Sequence, residues 1–281
     1  MLHAKQSFIP ILTSEAGLSL TTENWQEVNI TTVCYYLESL LFKPGKDILQ
    51  KITDLREYLA WSGGIVLNAM TLVINKEGIV VLKSPYDGSR IKLNLLDLLE
   101  LILHLKPQAV VLPKNILQDF SQIWENWNEA IVPFIHVSDL ERQNVVKPHG
   151  VYFNQNFSEV NWKQLEEWAH LPRYIIGNFD PILIQELQEK GIEFIESDEP
   201  AKAAMQGKVY SRAGNVDLTD KKTQMQFEPI DTHCACPTCS QQLSKAYLYH
   251  LLQNTPLLCQ RFLIQHNIFY VQRFFEYLID N

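Results

Sequence analysis

From about Asp87 onward the sequence alternates short apolar runs with helical patterns, and this alternation predicts an α/β fold. In a chain of 281 residues, such units joined by short connections close most readily as a (β/α)8 barrel of the TIM type, irregular in places. A dense cysteine cluster late in the chain predicts a C-terminal zinc-binding subdomain. The division is expected near Glu228-Pro229, with the barrel over 1–228 and the zinc-binding subdomain and last helices over 229–281.

The elements follow in order. Residues 93–105 carry apolar side chains at helical spacing, and Pro107 ends that pattern. Residues 108–112 read as a buried strand, with further strands at 130–136 and 150–153. Asn161 caps a helix running to 170, and 173–177 returns as a strand. Asp180-Pro181 pairs an N-cap with proline at the first helical position, and that helix stops at Gly191. Residues 192–195 form the next strand. Barrels of this kind do chemistry where strands end, so 177–180 and 196–200 are expected on the functional rim. Three helices are expected after the cysteines, at 243–254, 256–265 and 268–279.

A composition of 46% hydrophobic residues is enough for a full core. No apolar run reaches the roughly 18 residues of a membrane helix, and the N-terminus lacks the features of a signal peptide. Three cysteines in one hexapeptide do not form a disulfide framework, so a cytoplasmic location is expected. The net charge of −8 argues against a protein that grips nucleic acid over a wholly basic surface. Lys202, Lys208, Arg212, Lys221 and Lys222 nevertheless outnumber the acids between Ala201 and Lys222, as a local patch or a solvated loop.

The cluster itself is Cys234-Ala-Cys236-Pro-Thr-Cys239, with His266 following in Gln-His-Asn-Ile. Cys-x-Cys is too tight for an unstrained disulfide between its own members. Three thiolates and one imidazole complete a closed tetrahedral shell around Zn²⁺, the usual structural form. His233 and His250 are rival fourth ligands, but His233 adjoins Cys234 and has little room to coordinate separately.

The order Cys234-x-Cys236-x₂-Cys239, Ser244-Lys-Ala-Tyr-Leu-Tyr-His-Leu251 and His266-Asn resembles the zinc region of the tRNA-guanine transglycosylases, also called queuine tRNA-ribosyltransferases. Those enzymes exchange guanine in tRNA for a 7-deazaguanine base. Lys245 stands where the family has arginine, and one extra residue separates Cys239 from Ser244. Fainter similarities run back through Pro172-Arg-Tyr-Ile-Ile-Gly177, Lys83-Ser-Pro-Tyr-Asp-Gly-Ser89, Tyr58-Leu-Ala-Trp61 and Lys43-Pro-Gly45. The chain is a short member by this comparison, with losses around 70–76 and 115–170.

Base exchange at a ribosidic carbon needs one carboxylate to hold the ribose and another group to manage protons. The resemblance places the nucleophile at Glu196, a glutamate where the family has aspartate, with Asp198 as a substitute on a shifted loop. A displacement of order 1 Å costs about a hundredfold where attack geometry matters. The general-base position falls on Asn68, which takes no proton near neutral pH. The base-recognising carboxylate falls on Lys114 or its neighbours, a donor where the purine edge wants an acceptor. The glycine-rich recognition loop has no counterpart beyond 154–159. Lys202 keeps one positive charge where the family contacts RNA.

The resemblance therefore implies a transglycosylase-like protein linked to queuosine-type tRNA modification in which the scaffold outlived the chemistry. It would act as a zinc-containing partner or tRNA-presenting subunit, as a homodimer or as a heterodimer with an active paralogue. The aromatic-rich C-terminal end suits such an interface. The alternatives are an active base-exchange transferase using Glu196, and a zinc-stabilised scaffold without a nucleic-acid role.

Overall fold

The computed structural model describes residues 7–116, 127–142, 149–155 and 160–279. They group into two compact units that interleave along the chain. One holds the segments up to Thr13, from Thr32 to Ile176 and from Ile192 to Glu196; the other holds Ser14–Thr31, Gly177–Gly191 and Ser197 onward.

The strands of the first unit are β1 (Ser7–Ile9), β2 (Thr32–Tyr36), β3 (Gly64–Asn68), β4 (Ile79–Lys83), β5 (Arg90–Asn94), β6 (Ala109–Val111), β7 (Val132–His136), β8 (Gly150–Asn154), β9 (Arg173–Ile176) and β10 (Phe194–Glu196). All but β4 and β5 form one parallel sheet in the order β1-β10-β9-β8-β7-β6-β3-β2. Its two edges meet. Ile11 bridges Cys34, the Leu12 amide donates to the Cys34 carbonyl at 2.9 Å, and the Cys34 amide donates to the Pro10 carbonyl at 3.0 Å. The expected eight-stranded α/β barrel is therefore present.

Its interior is filled by side chains rather than left as a channel. Cys34, Val66, Val111, Phe134, Tyr152, Tyr174 and Phe194 meet there, with the Phe134 and Phe194 rings edge to face, 5.4 Å apart. A Cβ at Gly150 would overlap the Phe134 ring, so only glycine lets that ring fill the barrel. Strands buried on both faces read as continuous apolar runs, and β9 is buried at every position.

Between β3 and β6 the chain inserts an antiparallel hairpin, β4–β5, with register from Ile79↔Asn94 to Lys83↔Arg90. Leu93, expected at the start of a helix, is instead the buried fourth residue of β5. The helix is Leu95–Leu105, capped by the Asn94 side chain accepting from the Asp97 amide at 2.8 Å. The Asn161 cap is as expected and opens Trp162–Glu167.

In the second unit, Asp180 caps Pro181–Glu189, its side chain accepting from the Leu183 amide, and Gly191 follows at φ +75. The last two expected helices are one continuous helix, Pro256–Ile279. Polar His266 and Asn267 suggest a break there, but both are fully buried and bond to backbone outside the helix. Neither side chain competes for the helix's own amides. No described helix is long and apolar enough to cross a membrane. Positions 156–159, and the side chains of Phe274, Phe275 and Tyr277 at the aromatic end, lie outside the described residues.

Candidate active site and metal centre

Glu196 is the last residue of β10 and Asn68 the last of β3, so both project at the C-terminal ends of parallel barrel strands. The fold brings them into contact. The Asn68 amide donates to both Glu196 oxygens, at 3.2 and 3.0 Å. Its orientation is fixed because Oδ1 accepts from the Met70 amide at 3.0 Å, turning the NH₂ group toward the carboxyl.

Two tyrosines complete the shell. The Tyr36 hydroxyl donates to Oε1 and the Tyr174 hydroxyl to Oε2, each at 2.7 Å. Glu196 and Asn68 are both 0% exposed. Burial raises the Glu196 carboxyl above its ordinary value, while the bonds from Tyr174, Tyr36 and Asn68 oppose the rise. Cys34 faces the same group; burial and then the Glu196 charge push its thiol well up. The carboxyl is saturated with neutral donors, and no described cation pairs with it.

Sequence reasoning found Glu196 and Asn68 but missed Tyr36, Tyr174 and Cys34. The signal was available in their spacing. Cys34 and Tyr36 lie on one face of β2, and a tyrosine inside a buried strand needs a partner for its hydroxyl.

Lys114 lies just past β6 at the same barrel end and is exposed. Near it, His136 Nδ1 accepts from the Ser138 amide at 3.2 Å and sits 2.7 Å from the Ser138 hydroxyl. Burial, with the Lys114 charge adding, lowers the imidazole to about 4. A neutral ring presenting N–H and an ammonium both offer donors to whatever approaches this part of the rim.

In the second unit Asp198 is buried, accepts from the Ser14 hydroxyl at 2.7 Å and pairs with Lys202 at 3.4 Å. Burial raises its carboxyl, opposed by Ser14 and Lys202. Lys202 itself is about half exposed, on the helix Glu199–Met205.

The four expected metal ligands converge. Cys234, Cys236, Cys239 and His266 are all buried, and their ligand atoms lie within 4.8 Å of one another. His266 Nδ1 is 3.8, 3.3 and 3.4 Å from the three sulfurs in chain order. Tetrahedral bonds of about 2.3 Å to sulfur and 2.1 Å to nitrogen put S and N about 3.6 Å apart. The set fits one metal ion.

The surroundings select the donor atoms. His266 Nε2 donates to the Tyr210 carbonyl at 2.7 Å, which leaves Nδ1 to face the sulfurs. The Cys236 and Cys239 amides point at Cys234 and Cys236 sulfur, at 3.5 and 3.3 Å. Asn267 bonds the Pro200 and Lys208 carbonyls, each at 3.0 Å, and accepts from the Tyr210 amide at 3.1 Å. The His-Asn pair thus fixes the metal cluster to residues 200–210. His233 and His250 are exposed and take no part in the cluster.

A family profile described as Queuine tRNA-ribosyltransferase matches residues 158–278, which contain Glu196, Lys202 and all four metal ligands. The queuine tRNA-ribosyltransferase of Thermotoga petrophila is 25% identical over 308 aligned positions, covering 93% of this chain and 82% of the relative. Shorter matches reach 32% identity with the enzymes of the same name from Lachnoclostridium phytofermentans and Clostridium acetobutylicum. They cover 37% and 38% of this chain and 28% and 29% of those proteins. Residues 158–278 thus match the queuine tRNA-ribosyltransferase family, and nearly the whole chain is similar to such enzymes at 25% identity.

That similarity sets the two clusters apart. The family's zinc pattern survives here as a complete ligand set in a buried shell. At the barrel rim Glu196 and Asn68 hold one carboxyl and one amide, bonded to each other.

Proposed function

We propose that this protein is a catalytically degenerate transglycosylase-like component of queuosine-type tRNA modification. It acts in the cytoplasm as a zinc-containing partner or tRNA-presenting subunit. One observation carries the reading: the carboxyl at the nucleophile position has both oxygens bonded to Asn68, Tyr36 and Tyr174 and none of its surface exposed. A nucleophile must reach C1′ at about 3–3.5 Å, and here every approach to the carboxyl is taken by a side chain. Asn68 cannot accept the proton that base exchange must move.

Zn²⁺ is the metal the Cys234, Cys236, Cys239 and His266 set suits, and in a closed site it contributes folding energy rather than catalysis. The second unit also exposes Met225, Phe227, Tyr247, Leu257 and Leu258, apolar surface that supports pairing with a second copy or an active paralogue.

The test is incorporation of labelled guanine into bulk tRNA by zinc-replete protein, beside an active transglycosylase. Background-level incorporation by folded protein is the expected result. Incorporation above background, lost in Glu196→Gln, would overturn the degenerate reading and make Glu196 a working nucleophile.

A further inference from the structure

The hairpin β4–β5 has two unlike faces. Val80, Leu82 and Leu93 are buried on one side, while Val81, Lys83, Arg90 and Lys92 are exposed on the other. Lys83 and Arg90 are direct cross-strand partners. Like charges placed opposite one another destabilise a hairpin, and no ion pair with a described residue engages Lys83, Arg90 or Lys92. Lys92 follows Arg90 on the same face about 7 Å along the strand.

The acids in this segment lie off that face. Asp87 is in the turn, held by the Ser89 amide and hydroxyl, and Glu77 precedes β4. At the turn, Tyr86 is 62% exposed with the Lys43 ammonium 3.5 Å from its ring centre. A chain of net charge −8 thus concentrates cations and an exposed aromatic ring on one short ribbon.

Its position matters as much as its charge. The ribbon lies in the connection from β3 to β6, which leaves the barrel at Asn68, the end that carries Glu196. We infer that the outer face of β4–β5 is a docking surface for the phosphate backbone of RNA, gripped by Lys83, Arg90 and Lys92. Arginine forks onto phosphate oxygens, and an exposed tyrosine offers a face for base stacking. An acidic protein would match the charge but make no such use of the ring. The inference rests on the tRNA-linked reading of the family and adds the surface that would hold the RNA.

The experiment is fluorescence anisotropy of labelled bulk tRNA against full-length, zinc-loaded protein at several salt concentrations. It compares wild type with the triple variant Lys83→Glu, Arg90→Glu, Lys92→Glu. Affinity should fall at least about tenfold, and the slope of log K against log salt should shrink by about 2–3 for three lost phosphate contacts. The substituted side chains are exposed, so the melting temperature should hold. If the triple variant melts early, Arg90→Ala alone should reduce the slope by about 0.7–0.9. Wild-type binding that the variants leave unchanged would overturn the docking surface while leaving the tRNA reading intact. Absence of wild-type tRNA binding would overturn both, and binding of polyglutamate instead through the same residues would replace RNA by an acidic protein.

Discussion

The barrel-mouth cluster and the cysteine cluster are both buried and polar, yet they stand in opposite condition. Glu196 meets three donating side chains, so its lone pairs are used and nothing further is required. Cys234, Cys236, Cys239 and His266 converge four ligand atoms that need a cation to be satisfied. The first cluster is satisfied by its own side chains; the second gathers the donor atoms that a single metal ion would bridge. On the proposed function, the first is a reaction's carboxyl made unavailable and the second a metal shell kept because stability depends on it.

Four substitutions test that contrast. The largest effect is expected at the cysteines. Closed zinc sites contribute roughly 10–16 kcal/mol of apparent binding energy, against a total stability of about 5–15 kcal/mol. Cys236→Ser, or a strong chelator, should therefore abolish cooperative folding of the second unit in thermal denaturation. A variant that folds normally and holds no metal would end the structural-metal account.

Next in size is Asn68→Asp, which sets a second carboxyl against Glu196. Two carboxylates in contact cannot both ionise without cost, and a buried uncompensated charge costs about 3–5 kcal/mol. At about 2–4 °C per kcal/mol in a chain of this size, the melting temperature at pH 7 should fall by about 6–20 °C. Acidification should recover part of the loss, as the pair takes up one proton. An Asn68→Asp protein as stable as wild type at pH 7 would show that the barrel mouth has room and water for two charges.

Glu196→Gln isolates the wild-type titration. The folded carboxyl is raised above its ordinary value near 4.5, so the folded state holds the proton more tightly than the unfolded chain. That contribution is fully present below about 4.5 and is lost as pH rises through the folded value. The stability of wild type relative to Glu196→Gln should therefore decline with rising pH from that point, measured by denaturant titration at each pH. A flat or rising difference would mean that the donors outweigh burial.

The smallest effect belongs to Lys202→Ala. Its pair with Asp198 involves a half-exposed ammonium, so stability should change by less than about 1 kcal/mol. A larger loss in chemical denaturation would show that Asp198 depends on that one charge.

Much of the barrel after Asp87 was legible because strands buried on both faces leave continuous apolar runs, as in Ala109–Val111. The caps at Asn161 and Asp180 were legible because asparagine and aspartate before a helix have one dominant use. β1 to β3 gave no comparable pattern, and Leu93 fitted helix and strand periods alike until its β4 partner was known. Glu196 and Asn68 could be named from resemblance, but their mutual bond joins residues 128 positions apart. Only barrel closure creates it. The unity of the last helix was hidden for a similar reason: His266 and Asn267 look like breakers until Tyr210, Pro200 and Lys208 are seen to receive them.

The interleaving of the two units sets the timetable on which the chain can become a protein. Gln265 in the last helix donates to the Glu27 carboxylate at 2.7 Å, a contact spanning 238 positions within one unit. On a ribosome adding about 5–20 residues per second, the helix Thr22–Glu27 emerges more than ten seconds before its partner exists. Throughout that interval the buried face of Trp25 has no finished core to enter. Removing the last helix would therefore strand the first one as well.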